Sequence, residues 1–178
     1  MLQNEYRQQN ENSSFIADLG LTNGYQSSIE GSNRNNMTHL FAKYKSDLKL
    51  EYFSKSDLEI SLEKTSNDTY LTLFDANIPE TEIKPKSKST LKSEIKINLD
   101  HERFNISGGT QIYETLSGKN SDKFQYIFPY YNFSKSIDTD FDGTLNFSSS
   151  GSNTLQNTNN LKTKVSNNLS YSSKDYFS

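Results

Sequence analysis

The stretch Leu40-Phe41-Ala42-Lys43-Tyr44-Lys45-Ser46-Asp47-Leu48-Lys49-Leu50, and after a short break Asp57-Leu58-Glu59-Ile60-Ser61-Leu62-Glu63, decides the fold class. In the first run Leu40, Ala42, Tyr44, Leu48 and Leu50 fall on one side, and Lys43, Lys45, Asp47 and Lys49 on the other. In the second, Leu58, Ile60 and Leu62 oppose Asp57, Glu59, Ser61 and Glu63. Only an extended chain sends successive side chains to opposite faces, so a period of two predicts strands with one apolar and one polar face.

The same period continues outward in both directions. Toward the N-terminus it takes in Phe15, Ala17, Leu19 and Leu21, and a weaker opening strand holding Leu2, Asn4 and Tyr6. Toward the C-terminus Leu91, Ile95, Ile97 and Leu99 oppose Lys92, Glu94, Lys96 and Asn98. Phe104, Ile106 and Ile112 follow, then Phe124, Tyr126, Phe128 and Tyr130. Ile137, Phe141, Leu145 and Phe147 oppose Asp138, Asp140, Asp142 and Asn146, and Leu161, Val165, Leu169 and Tyr171 close the series. The expectation is an all-β chain: an antiparallel meander of about ten strands.

Connections are read as alternately short and long. Short ones are expected near residues 10–12, 53–55, 101–102, 134–135 and 173–175, and long polar ones near 23–36, 65–89, 116–121 and 149–160. Transmembrane barrels have short turns on one side and long loops on the other. Turns at 53–55, 101–102 and 134–135 would set Leu48 opposite Ile60, Lys49 opposite Glu59, Ile97 opposite Ile106, and Phe128 opposite Phe141, with like faces matched. Tyr126 would then cover Gly143. Pro129 lacks a ladder donor and marks a bulge. Asp68–Phe74 breaks the alternation, and Asn67 or Asp68 can cap a helix, so a short helical turn is expected there.

Composition narrows the class. Of 178 residues only 31% are hydrophobic, too few to fill an ordinary soluble core, yet 12% are aromatic and these alternate, which opposes disorder. The net charge of −3, from 19 basic and 22 acidic residues, carries no nucleic-acid signature. No apolar run approaches the roughly 20 residues of a membrane helix. Periodicity alone leaves open whether the apolar face is packed inward or turned outward to lipid. Strands this long would need a second sheet to cover them, and the sequence offers no spare apolar segment, which favours the outward reading.

No reaction chemistry stands out. With no Cys and only His39 and His101, a zinc site lacks ligands, and both histidines read as exposed polar residues. Asp138-Thr139-Asp140-Phe141-Asp142-Gly143 begins like a calcium loop, but position twelve is Ser149 and the aspartates fall on a strand face. No catalytic residue, cofactor or metal is assigned, and an enzyme is the weakest reading.

Arg34-Asn35-Asn36-Met37-Thr38-His39-Leu40-Phe41-Ala42-Lys43-Tyr44, running on through Asp57–Lys64 and Ser66-Asn67-Asp68-Thr69-Tyr70-Leu71-Thr72-Leu73-Phe74-Asp75, resembles the LptD family of outer-membrane lipopolysaccharide-assembly proteins. Asn4-Glu5-Tyr6-Arg7 and Phe128-Pro129-Tyr130-Tyr131-Asn132-Phe133 also look like strands of that family. The likeness covers nearly the whole chain, most weakly after Gly151, and rests on the order and spacing of short motifs. Asp68, Tyr70, Phe74 and Asp75 are the motif residues, in a structural role in the loop after a strand.

The resemblance implies that residues 1–178 are part of one β-barrel domain in the bacterial outer membrane. A periplasmic domain, the first strands and the C-terminal strands would lie outside the chain. It implies lipopolysaccharide, a plugging LptE-like lipoprotein, a periplasmic lipopolysaccharide-transport bridge and outer-membrane lipid as partners. The function implied is translocation of lipopolysaccharide into the outer leaflet, this segment supplying barrel wall. Leu48, Ile60, Ile97, Ile106, Phe128, Phe141 and Leu145 would face lipid, while Asp47, Glu59, Lys96, Asn105 and Asp142 face the lumen. The rivals are a porin or receptor barrel, with residues 65–89 as an inward constriction loop, and a soluble β-sandwich adhesin or lectin.

Overall fold

The computed structural model describes residues 1–25, 35–117, 123–138, 143–156 and 160–173. They form nine strands: β1 (Leu2–Gln9), β2 (Ser13–Tyr25), β3 (Asn35–Asp47), β4 (Lys55–Thr65), β5 (Thr90–His101), β6 (Phe104–Thr115), β7 (Phe124–Asp138), β8 (Gly143–Gln156) and β9 (Asn160–Ser173). Each pairs antiparallel with its sequence neighbours in one sheet of order β1 to β9, a meander that does not close on itself. Strands β2–β9 are 11 to 15 residues long, beyond the usual 3–10 of globular sheets. Between β4 and β5 lie the helix α1 (Tyr70–Phe74) and a 3-10 turn (Asp75–Asn77), where the broken alternation predicts a helical turn. The cap differs in detail: Thr69 occupies it, and Asn67 Oδ1 accepts from both the Thr69 amide and hydroxyl.

Each strand carries its alternation into one of two faces, and the registers join these across the sheet. One face is apolar: Leu19 pairs Leu40, Ala42 pairs Leu62, Leu58 pairs Ile97 and Leu99 pairs Ile106. The other is polar: Lys45 pairs Glu59, Glu59 pairs Lys96 and Asp100 pairs Asn105. Ile60, Ile97, Ile106 and Leu145 share the first face, while Asp47, Glu59, Lys96 and Asn105 share the second, as the pattern predicts.

Several expected pairings shift while keeping their face. Lys45, not Lys49, sits opposite Glu59, because the β3–β4 connection takes residues 48–54 and Leu48 belongs to it. Ile97 meets Gly108, and Leu99 takes Ile106, because the two-residue turn falls at 102–103, one residue later than expected. The expected turn at 134–135 is absent: β7 runs through to Asp138, and Ser134 pairs with Ser148. Tyr126 therefore meets Leu155, and Gly143 pairs Ser173. Phe141, Asp142 and most of the calcium-like run lie outside the described residues, so the Phe128–Phe141 pair is replaced by the continued ladder. Residues 149–156, expected as loop, complete β8.

A bulge sits where Pro129 predicts one, between Ile127 and Tyr130 on β7. Phe128 lies in it and is 70% exposed. The added residue moves Tyr130 to the polar face, against the expected alternation, and its hydroxyl donates to Glu94 at 2.8 Å. Opposite the bulge, Gly109 passes so close to β5 that a Cβ would run into the Ile95 carbonyl. Backbone, not side chain, occupies that space.

Candidate functional site

The core of the molecule lies on the polar face. Residues 66–89 fold back over strands β2–β5 and bury Tyr70, Leu71, Ile78 and Ile83 against Ile16, Met37 and Phe41, with Leu91 and Leu116 at the adjoining strand ends. Ile16 and Phe41 stand on the side that carries Asp18, Lys43 and Glu63, as their registers require. By contrast, the large apolar side chains left exposed along the regular strands, among them Leu62, Ile97, Ile112, Tyr126 and Val165, all belong to the apolar face. Among the described residues, the covering segment therefore lies on the polar face and the apolar face is left exposed.

Four motif residues organise this cover. Tyr70 is fully buried, and its hydroxyl lies 2.7 Å from His39 Nδ1. Burial pushes the Tyr70 hydroxyl up, so it stays protonated and shares a hydrogen bond with that nitrogen. His39 Nε2 faces Asp18 Oδ2 at 3.4 Å, and Gln3 Nε2 donates to the same oxygen at 2.7 Å. Gly20, opposite His39, is required here: a Cβ would meet the imidazole and the Tyr70 hydroxyl. Phe74 packs against Tyr70 with ring centroids 5.1 Å apart. Asp68 pairs with Lys123 at 2.6 Å, and Lys123 reaches Glu114, which also takes Lys64. Asp75 receives Lys88 at 2.8 Å and Lys84 at 3.4 Å.

The cover is further tied to the wall by Glu82, which meets Lys45 at 2.8 Å and Lys43 at 3.8 Å. Lys45 holds the Glu82 carboxyl below the usual carboxylate range, and Lys88, with Lys84, does the same for Asp75. Under the segment remains a cavity of about 330 Å³ bordered by Lys43, Glu59, Glu63, Lys84, Lys92 and Glu94. Mixed charges of both signs line it.

The order carboxylate, imidazole, hydroxyl at Asp18, His39 and Tyr70 resembles a proton relay, but the three side chains are all but fully buried. The arrangement ties wall to cover, joining β2 and β3 to the segment after β4. His39 is thus on the polar face as expected but buried. His101 closes β5 on the apolar face, stacked on Phe104 with centroids 4.5 Å apart, and accepts from the Arg103 amide. Among the described residues no group of His, Cys, Asp and Glu could hold a metal. The tether and the charged knot at Glu114 escape sequence reasoning, though each leaves a trace. Gly20 interrupts a strand, a sign of close approach, and Glu114 puts a charge on an apolar-face position beyond Ile112.

Of the residues expected to face lipid, Ile60 and Ile97 are well exposed on the apolar face and Ile106 and Leu145 half-buried there. Leu48 stands in the β3–β4 connection, Phe128 in the bulge, and Phe141 is outside the described residues. On the polar face, the half formed by β6–β9 differs from the covered half. Ser107, Asn132, Ser134, Ser148, Ser150 and Asn168 line an open concavity of about 480 Å³. No protein-family model, no curated protein and no solved structure matches this chain.

Proposed function

We propose that this chain is a wall segment of an outer-membrane β-barrel of the LptD kind, working in the delivery of lipopolysaccharide to the outer leaflet. One observation carries the membrane part: among the described residues, the polar face is covered and the apolar face is left bare. In water the hydrophobic effect drives the opposite choice, since uncovered apolar surface beyond a few hundred Å² is avoided by soluble monomers. In a bilayer the bare face is solvated by acyl chains, and the polar face meets a wet interior. The strand lengths fit as well. At about 3.3 Å per residue and a tilt near 40°, such strands cross a membrane with residues to spare.

The lipopolysaccharide part rests on the family resemblance and on the ordered, charge-tied segment after β4 that bears Asp68, Tyr70, Phe74 and Asp75. The open hydroxyl- and amide-lined half of the polar face is compatible with a passing oligosaccharide. Partners on this reading are lipopolysaccharide, a plugging lipoprotein and a periplasmic bridge. The test is depletion of the protein in cells. Loss of newly made lipopolysaccharide from the cell surface, with small-solute uptake unchanged, supports the reading.

A second reading, a diffusion porin, is favoured by the fold of 66–89 over the polar face with clustered Lys and Glu, which is the shape of a constriction loop. The same depletion separates them: a porin's loss would slow uptake of small solutes and leave surface lipopolysaccharide intact.

A further inference from the structure

The connection between β3 and β4 is unlike the other short ones. Residues 48–54 expose Leu48, Leu50 and Tyr52, the last at 82%. An exposed apolar turn is usually loose, but this one is built. Leu48 N donates to Ser56 O, Phe53 N to Leu50 O, and Leu50 N to Ser56 Oγ at 3.0 Å. Lys49 takes a φ of 50° to close it, with its amide on Asp47 Oδ1. Ser54 joins it to β5 by donating to the Asp100 carbonyl.

The turn laps onto the apolar face, and two independent contacts place it there. Ser56 pairs Leu99 on that face and is 1% exposed, with the Leu50 backbone hydrogen-bonded to its hydroxyl. Phe53 meets His101 and Phe104 edge-on, with centroids 6.3 and 6.2 Å away, both on the apolar face. From Phe104 the rings continue through Phe133 to Phe147, each step 6.1 Å. The turn is therefore continuous with an aromatic row at the short-turn end of the bare face.

We propose that residues 48–54 are an interfacial membrane anchor, with Leu50 and Tyr52 seated in the headgroup region of the leaflet on the short-turn side. The occupant is a lipid surface: the turn prolongs the face assigned to acyl chains, and Lys49 stands beside Leu50 as a cation suited to lipid phosphates, while Glu51 lies between Leu50 and Tyr52 and Lys55 is held by Asp57 at 2.9 Å. Tyr, apolar in body and polar at its tip, is the residue for that depth. The inference rests on the membrane reading and adds a depth to it.

This chain contributes no Trp, so in a background freed of any other Trp a single introduced one reports its own surroundings. Tyr52→Trp and, separately, Ile97→Trp are made in the intact protein and reconstituted in phosphatidylcholine vesicles brominated near the glycerol or deep in the chain. Expected is a blue-shifted Tyr52→Trp emission quenched mainly by shallow bromines, and Ile97→Trp quenched mainly by deep ones. If Ile97→Trp is quenched and Tyr52→Trp is not, the anchor is wrong while the membrane reading stands. Red emission would then leave the tip in water, and unquenched blue emission would put it against protein. If neither is quenched, the membrane reading fails and the anchor with it.

Discussion

At the scale of single residues, buried polar groups matter most. Tyr70 offers its hydroxyl to an imidazole that is itself sealed from water, so nothing replaces it when it is removed. Tyr70→Phe leaves His39 Nδ1 without its hydrogen-bond partner in a closed site, at a cost of about 1–3 kcal/mol. The expected result is a lower unfolding midpoint together with faster protease cleavage within 66–89. A midpoint equal to that of the unaltered protein would mean that the hydroxyl contributes nothing to the tether. Legibility at this scale is uneven. Residue identity announces Pro129 as a bulge, because the missing N–H is intrinsic to proline. It does not announce that His39 is buried, because burial depends on a segment some thirty residues further along the chain.

At the scale of elements, the cover 66–89 is held by apolar packing and by ion pairs whose pH dependence has a definite sign. Asp75 and Glu82 have folded-state values below their unfolded ones, so their stabilisation is fully present above the ordinary carboxylate range of about 4 and is lost as pH falls through the lowered values. Acidification from pH 7 to about 3 should lower the hydrogen-exchange protection factors of 66–89 ahead of those of the strands. The variant Glu82→Gln should show part of that loosening already at pH 7. Uniform protection of the segment across this range would contradict the assigned ties.

The strands themselves were legible wherever one face is apolar and the other charged, as in β3–β5. The reading failed in the second half for a physical reason. Ser149–Ser152 have the residue types of turns, which are favoured there by side-chain bonds to the backbone. In a sheet whose polar face is wet, the same residues are tolerated, and pairing with β7 and β9 overrides their preference. Register slipped at the β3–β4 turn because parity constrains the face but leaves shifts of two or four residues open.

At the scale of the whole molecule, the nine strands of the described residues make an open arc of sheet. With an odd number, β1 and β9 run in the same direction, and both expose an unpaired edge. Antiparallel closure of the usual even-stranded kind needs an odd number of further strands between them. The two faces of the arc should also differ in tolerance. Ile95→Lys, halfway along β5 on the bare face, should cost about 2–4 kcal/mol and impair barrel assembly, seen as loss of heat-modifiable gel mobility. Lys96→Glu, its neighbour on the wet face, should assemble nearly normally because its charge is screened. Equal tolerance at the two positions would remove the distinction between the faces.

The most direct measurement is a nitroxide scan along β5, one label at a time from Ser93 to Leu99, in the intact protein reconstituted in vesicles. The account predicts a period of two: labels at 93, 95, 97 and 99 collide readily with oxygen, which concentrates in lipid, and those at 94, 96 and 98 with a water-soluble nickel chelate. Odd positions that collide with neither reagent would be packed inside protein. That result, or nickel access at Ile95 and Ile97, would contradict an apolar face turned to the membrane.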